Sequence, residues 1–416
     1  MLTEGLKLKW EWCIPHMTNA ATKAACGIVN DKTKSKNPSM TELISRIGKT
    51  VFQVRHVEVM GSLFEELCEM TGEGKSRTLI EFKPHRFMGL TKVILRILEK
   101  WDQLVVWFGE RISKALRSGL APPEGFPLAA DKLDLIQLVC ILQPITLLNR
   151  RAQSDCANQI DVLLTLYRLR QNVLDPSAAL VDYRTKHLRP PRYFAVVELT
   201  PLVSKTRQLL ADAFHDRFFS RYTNRTKVRK MSYIFEIQLL LHPKLKNPDG
   251  VLARMIHLCN QQLVIEPANP SKRLRPDEVS RMVNYVKTTI IDQLKSLMLS
   301  TAPVQEISTS QIPNSNSQPI MFSEDLMDFY EQDEGTAEAP SNDVQKSRIE
   351  DELERWISQP VTMDRNGQNQ AEHVLEFWSR QTNRTYQFLP SVARIVFAVP
   401  TSSAQIERDF GKPEIY

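Results

Sequence analysis

The chain has 416 residues, of which 42% are hydrophobic, and its formal net charge is +6. This length allows two or three domains with a sizeable core. Because there is no run of 18 apolar residues and no apolar N-terminal segment, we expect no membrane span and no secretory signal. The six cysteines lack CxxC spacing, which argues against a disulfide scaffold and a four-ligand zinc module.

The first 30 residues combine one predicted strand with one predicted helix. Apolar and charged residues alternate from position 6 to position 12, which is the pattern of a half-buried strand. Small residues at positions 17–26 predict a helix that ends at a glycine. Cys13 and His16 lie between the two. A structural zinc site needs four ligands, so a packed cysteine and a hydrogen-bonded histidine are favoured and no metal is expected.

The middle of the chain is predicted to be helical. Nine apolar residues recur at helical spacing between positions 90 and 108, which indicates one amphipathic helix of five turns. Further helices are predicted at Leu133 to Leu142, Gln159 to Leu169, Leu202 to Phe214, Val251 to Val264 and Pro276 to Leu299. Pro-Pro pairs at positions 122–123 and 190–191 interrupt the series. Few segments alternate like strands, so we predict a helical array.

A basic segment at positions 217–230 mixes cationic and aromatic side chains. Its cations are Arg217, Arg221, Arg225, Lys227, Arg229 and Lys230, and its aromatic residues are Phe218, Phe219 and Tyr222. Phosphate-binding charge beside stacking faces is typical of non-specific nucleic-acid binding. The alternative is an amphipathic helix with solvated basic side chains, which the sequence supports equally.

An acidic segment follows the helical region. Nine acidic residues and no lysine or arginine occur between Val304 and Asp343, together with many Ser, Asn and Pro residues. Such a composition buries too little apolar surface to offset its ordering entropy, so residues 303–345 are predicted to be a disordered linker. The rest of the chain then carries about +15, a balance that favours a polyanionic partner.

The C-terminal block is predicted to hold several short amphipathic helices. We expect seven of its apolar residues to pack in a core or across a subunit interface: Trp356, Leu375, Phe377, Trp378, Leu389, Val392 and Val396. Pro400 ends one helix, and Ser402 with Gln405 forms a capping box for the next, which carries Glu407. Taken locally, Glu407 is an ordinary solvated carboxylate.

Four strings together resemble hAT-family transposases. FLPSVARIVFAVPTSSAQIERDFG from Phe388 is similar to the C-terminal signature of that family, and WCIPHMTNAATKAACG at positions 12–27 is similar to its Cys-x-x-His landmark. KPHRFMGL at positions 83–90 resembles its arginine-tryptophan motif, with Arg86 retained and Phe87 replacing tryptophan. LLLHPKLK at positions 239–246 resembles its Leu-Asp-Pro-Arg-x-Lys landmark, with His242 in place of aspartate.

The resemblance implies an RNase H-like core that a helical insertion interrupts, with two aspartates and one glutamate holding divalent metal. Glu407 takes the position of the glutamate, as a vestigial third acid. No aspartate precedes Cys13, so both aspartates are expected to be absent, and Mg or Mn would bind only if the site were completed. Arg86 and Phe87 would contact a DNA hairpin, and a nuclear location is implied.

These observations predict a mainly α fold: the helical insertion of a truncated RNase H-like transposase, with one residual strand and C-terminal dimerisation helices. The predicted divisions are 1–30 for the strand and Cys-x-x-His helix, 31–302 for the insertion, 303–345 for the linker, and 346–416 for a truncated dimerisation domain. The favoured function is a catalytically inactive hAT-derived protein that dimerises and binds DNA non-specifically. The alternatives are an active transposase whose gene start is assigned too late, and a decayed remnant.

Overall fold

The computed structural model describes nine ranges of the chain, which are 13–28, 34–70, 78–81, 89–154, 159–265, 275–302, 342–364, 372–381 and 385–399. Most of these residues are helical, which confirms the mainly α prediction. They form two compact units, one within 13–231 and one within 232–399. The predicted strand at positions 6–12 and almost all of the predicted linker lie outside the described residues.

The first unit contains nine α-helices and a small sheet among its described residues. The helices are α1 (Ile14–Ala25), α2 (Pro38–His56), α3 (Leu63–Met70), α4 (Leu90–Glu99), α5 (Trp101–Arg117), α6 (Lys132–Ala152), α7 (Gln159–Gln171), α8 (Pro201–Phe214) and α9 (Arg225–Val228). Short 3-10 helices occur at Glu58–Met60, Tyr183–Thr185, Val196–Glu198 and Ser220–Tyr222, and a π-helical turn occurs at His215–Phe219.

Helix α6 is the centre of the first unit. It packs against α1, α4, α7 and α8, and twelve of its 21 residues are buried. It extends ten residues beyond the predicted end and continues through Pro144, because burial on several sides offsets the hydrogen bond that proline cannot make. By length and composition α6 is apolar enough to cross a membrane, but 61% of its most apolar window is buried within the protein, as in a core helix.

The predicted five-turn helix after position 90 is two helices in the structure. Lys100 has φ −106° and ψ 25°, outside the helical region, so α4 ends at Glu99 and α5 begins at Trp101. The break lets the two helices bury separate faces: α4 packs on α6, and α5 packs on α3. The regular spacing of apolar residues therefore continues from α4 into α5, although the helix is interrupted at Lys100.

The sheet of the first unit is a two-stranded antiparallel hairpin. Strand β1 (Leu180–Val181) pairs with β2 (Tyr193–Phe194), with Leu180 opposite Phe194 and Val181 opposite Tyr193. Leu180 is buried, whereas Val181 and Tyr193 are exposed. One face of the hairpin thus packs on the protein and the other faces solvent.

The second unit contains six described α-helices. They are α10 (Ile234–Leu240), α11 (Ala253–Ile265), α12 (Pro276–Ser300), α13 (Asn342–Ser358), α14 (Val374–Arg380) and α15 (Leu389–Phe397), with a π-helical turn at Pro248–Leu252 before α11. The long helix α12 packs against α10, α11, α13 and α15. Helix α13 begins at Asn342, a few residues before the predicted end of the linker.

Candidate functional site

Helix α15 carries the apolar part of the C-terminal signature. Leu389, Val392 and Val396 recur at helical spacing and are at most 1% exposed, so one face of the helix is fully buried. Pro390 lies in the first turn, where its missing N–H has no intrahelical acceptor to lose. The helix is nine residues long, too short to be stable in isolation, so its position depends on its neighbours.

The N-terminus of α15 is capped by a buried carboxylate from α13. The side chain of Glu352 accepts hydrogen bonds from the backbone N–H groups of Gln387, Phe388 and Leu389 at 2.6, 2.9 and 2.8 Å. Glu352 is 2% exposed. A carboxylate at this place satisfies N–H groups that the helix leaves unpaired and lies at the positive end of the helix dipole. Glu352 therefore fixes where the signature helix begins.

The other end of α15 is held by α10. The side-chain amide of Gln238 donates a hydrogen bond of 2.7 Å to the carbonyl oxygen of Val396, and Gln238 is fully buried. Unpaired carbonyls at a helix C-terminus are satisfied here by a residue 158 positions earlier in the chain. Polar side chains from two different helices thus hold both ends of α15.

Two buried tryptophans join α13 and α14 to the end of α10. The indole N–H of Trp356 donates to the carbonyl oxygen of Leu240 at 2.9 Å, and that of Trp378 donates to Leu241 at 2.9 Å. The two rings lie 4.7 Å apart, and Phe377 and Tyr386 pack around them. Buried tryptophans with satisfied N–H groups combine large apolar contact with fixed orientation.

Lys246 caps the C-terminus of α13 from inside the protein. Its ammonium group donates to the carbonyl oxygens of Trp356 and Gln359, and it lies 4.5 Å from the Trp356 ring centroid. Burial lowers the pKa of Lys246, and the carbonyl dipoles and the ring face favour the charge at this place. Lys246 belongs to the LLLHPKLK segment, so this segment packs directly against the C-terminal helices.

The structure places six of the seven predicted packing residues in the core of the second unit. Trp356, Phe377, Trp378, Leu389, Val392 and Val396 are each at most 1% exposed. Leu375 differs, because it is 41% exposed on α14. Ile395, which the sequence analysis did not select, is 40% exposed on α15. The outward faces of α14 and α15 therefore each carry one large apolar side chain.

The basic segment at positions 217–230 divides into a buried part and an exposed part. Phe218, Phe219, Tyr222 and Arg221 are at most 5% exposed, so these side chains belong to the core of the first unit. Arg217 is half-buried and donates to the carbonyl oxygen of Ala213. The cations on and after α9 are exposed, namely Arg225, Lys227, Arg229 and Lys230. The DNA-binding assignment of the six cations stays a prediction.

The remaining predicted site residues are Cys13, His16, Arg86, Phe87 and Glu407. Cys13 is the half-buried N-cap of α1, and His16 is exposed in its first turn. Over the ranges that the structure describes, no group of three or more His, Cys, Asp or Glu side chains is placed to hold a metal ion. Arg86, Phe87 and Glu407 lie outside the described residues, as does the capping box at positions 402–405.

Comparison with protein families gives a match that includes the end of α13 and all of α14 and α15. Residues 352–415 match the hAT family C-terminal dimerisation region. The match begins at Glu352, the residue that caps α15, and it includes both buried tryptophans. A search of curated proteins finds no match. The resemblance to hAT transposases is therefore confirmed for the C-terminal part of the chain.

Proposed function

We propose that this chain is an hAT transposase-related protein that associates with a second copy of itself through its C-terminal helices. The observation that carries the proposal is the match of residues 352–415 to a dimerisation region. The packing of α13, α14 and α15 supports it, because buried side chains hold these helices in one arrangement. A rigid arrangement presents a defined surface without an ordering cost on binding.

The proposed interface is the outward face of α14 and α15. These two helices pack against each other, and their exposed apolar side chains are Leu375 and Ile395. Ser379 lies one turn after Leu375, and Ser391 lies one turn before Ile395, both exposed. Neither serine brings a charge next to the two aliphatic anchors, and charged residues are depleted at the cores of interfaces. The aromatic residues behind this face position it without contacting the partner.

Light scattering on the full chain tests this interface. The double variant Leu375→Glu/Ile395→Glu places charge on the proposed face and should convert the oligomer to monomer, with unchanged helical circular dichroism. The matched control is Leu188→Glu/Val197→Glu, which changes two exposed apolar residues of the first unit. An equal loss of oligomer in both variants, or no loss in either, would contradict the assignment of the face.

Non-specific DNA binding is the second part of the proposal. The support is the exposed run that begins on α9 and continues after it, in which Arg225, Lys227, Arg229 and Lys230 occur within six residues without an acidic residue. Binding through phosphates weakens linearly with log salt, so affinity for a duplex should fall steeply as salt is added. Fluorescence anisotropy should show weaker binding and a smaller salt slope for Arg225→Gln/Lys230→Gln. An unchanged salt slope would exclude these cations as the DNA-binding surface.

Catalytic inactivity, nuclear residence and an RNase H-like origin of the helical insertion complete the proposal. The resemblance names three metal-binding acids, and in these 416 residues only the glutamate has a counterpart in a matching motif, which is Glu407. The helices between positions 38 and 302 are consistent with a helical insertion. Incubation of the purified chain with a hairpin-forming DNA end and Mg²⁺ should leave the DNA uncut, and specific cleavage would reinstate the transposase alternative. Imaging of a fluorescent fusion tests nuclear residence.

A further inference from the structure

The tip of the β1–β2 hairpin is an exposed cationic surface that none of the features above uses. Positions 183–197 hold four cations and no acidic residue. The cations are Arg184, Lys186, Arg189 and Arg192, all of which are exposed. The next carboxylate on either side is Asp182 or Glu198. Such a run on one short loop creates a local positive potential that attracts a polyanion.

This loop is held in place by its own polar contacts. The buried carboxylate of Asp182 accepts hydrogen bonds from the backbone N–H of Arg184 and from its guanidinium group, at 2.7 to 3.1 Å. The hydroxyl of Thr185 donates to the carbonyl oxygen of Asp182 and accepts from the backbone N–H of Arg192 at 2.9 Å. The cations at the tip are therefore presented on a fixed frame, which lowers the entropy cost of binding.

Two of the cations have no counter-charge within the described ranges of the chain. Lys186 and Arg189 form no salt bridge with any residue that the structure describes, whereas Arg184 is paired with Asp182. The Arg184 hydrogen bond is the main cause that lowers the pKa of the Asp182 carboxyl, and the charge of Arg192 lowers it further. Arg192 therefore also interacts with this carboxyl. Lys186 and Arg189 are thus the side chains that remain available for an external anion.

Apolar surface lies beside this charge. Tyr193 is 56% exposed and lies directly opposite Val181 on the solvent face of the hairpin. Val197, three residues after the sheet, is 92% exposed. The tyrosine ring has no ring contact and no hydrogen bond from its hydroxyl among the described residues. An exposed aromatic ring next to a cationic loop is the combination that single-stranded nucleic acids bind, with phosphates on the cations and a base stacked on the ring.

We propose that this hairpin is a binding surface for single-stranded nucleic acid, distinct from the basic run after α9. Lys186 and Arg189 contact phosphates, and Tyr193 stacks on an unpaired base. An acidic peptide would satisfy the same cations, but it would not require the exposed ring. The inference deepens the proposed nucleic-acid binding, and it assigns a surface and a strand type that the proposed function leaves open.

The test uses the full chain and a fluorescent oligothymidylate of about 20 nucleotides, with anisotropy measured over a range of salt concentrations. Lys186→Gln/Arg189→Gln should weaken binding about tenfold and lower the salt slope by about 1.4, because each lost phosphate contact on a single strand contributes about 0.7. Tyr193→Val should weaken binding about fivefold without changing the slope, since it removes stacking and no charge. The control Arg117→Gln/Lys205→Gln removes two exposed cations elsewhere in the first unit.

Three results would overturn the inference. The first is an equal loss of affinity in the hairpin variant and in the control, which would indicate a net-charge effect. The second is an unchanged affinity of Tyr193→Val. The third is competition by a glutamate-rich peptide as effective as that by unlabelled oligothymidylate, which would assign the surface to an acidic protein.

The same experiment separates this inference from the proposed function. If the hairpin variants bind normally and Arg225→Gln/Lys230→Gln does not, only the hairpin assignment fails. If the hairpin variants lose binding and Arg225→Gln/Lys230→Gln does not, the surface after α9 fails instead. If the unmodified chain binds neither oligothymidylate nor a duplex, both assignments fail together.

Discussion

Replacement of Glu352 on α13 should release the N-terminus of the signature helix α15. In Glu352→Ala, the backbone N–H groups of Phe388 and Leu389 stay buried without an acceptor, and that of Gln387 is partly buried. Each unsatisfied buried donor costs about 1–3 kcal/mol, so the free energy of opening α15 should fall by about 3–5 kcal/mol. Glu352→Gln keeps an acceptor oxygen but loses the charge, and it should cost about 1–2 kcal/mol.

Hydrogen exchange measured by mass spectrometry is the appropriate assay, because two structural units prevent a simple two-state analysis of global unfolding. Amides of α15 (Leu389–Phe397) should lose protection in the order Glu352→Ala, then Glu352→Gln, then the unmodified chain. Glu354→Gln, an exposed position on the same helix, should leave protection unchanged. The capping role would be refuted if Glu352→Ala changed the opening free energy of α15 no more than Glu354→Gln does.

Three further predictions follow from buried polar groups. Lys246→Met removes the donors to the carbonyl oxygens at the end of α13 and should cost about 1–3 kcal/mol. The last turn of α13 should then lose protection from hydrogen exchange, and intact protection would exclude the capping role of Lys246. Burial, followed by the charge of Arg170, lowers the pKa of His215 from its ordinary value. Because the unfolded chain then binds the proton first, the stability of the first unit should fall as the pH is lowered through about 6.5, the pKa of an unperturbed histidine. His215→Gln should flatten that fall in denaturant titrations. Burial raises the pKa of Cys26 to about 12 and of Cys140 to about 11, so neither thiol should react with a disulfide reagent at about pH 8 until the chain unfolds; reaction at the rate of a small thiol would contradict their burial.

Periodicity located most helices of this protein, because apolar residues at helical spacing need one buried face. Helix α12 illustrates this: the predicted Pro276 to Leu299 is Pro276–Ser300 in the structure. The break at Lys100 was not predictable in the same way, since the apolar pattern continues through it. The break arises because α4 and α5 pack against different helices, α6 and α3, which are distant from them in sequence.

The contacts that organise the C-terminal helices were also missed. Glu352 lies in an acidic string, IEDELE, in which nothing local distinguishes the one buried carboxylate from its exposed neighbours. Lys246 is separated from the helix end that it caps by more than a hundred residues. The sequence did select the aromatic residues of this region, but whether they lie in a core or at an interface depends on α10 and α12, whose positions only the fold provides.

In the basic segment at positions 217–230, one of the two interpretations of the sequence needed exposed aromatic rings, which the structure does not show. The mixture of cations and aromatic rings in this segment supported a nucleic-acid surface and an amphipathic helix equally, and in the structure the rings of Phe218, Phe219 and Tyr222 are buried. The guanidinium of Arg170 lies 5.6 Å from the Phe219 ring centroid, within the core. The three aromatic rings after α8 are buried because they remove a large apolar area from water, whereas the long cationic side chains on and after α9 keep their charges in water.

Sedimentation equilibrium of the full chain tests the central claim most directly. The monomer mass is 47.8 kDa, so self-association through the C-terminal helices predicts an average mass that rises with concentration toward twice that value or beyond. In the same experiment, Leu375→Glu/Ile395→Glu should remain at the monomer mass. A monomer mass for the unmodified chain at every concentration would contradict the account.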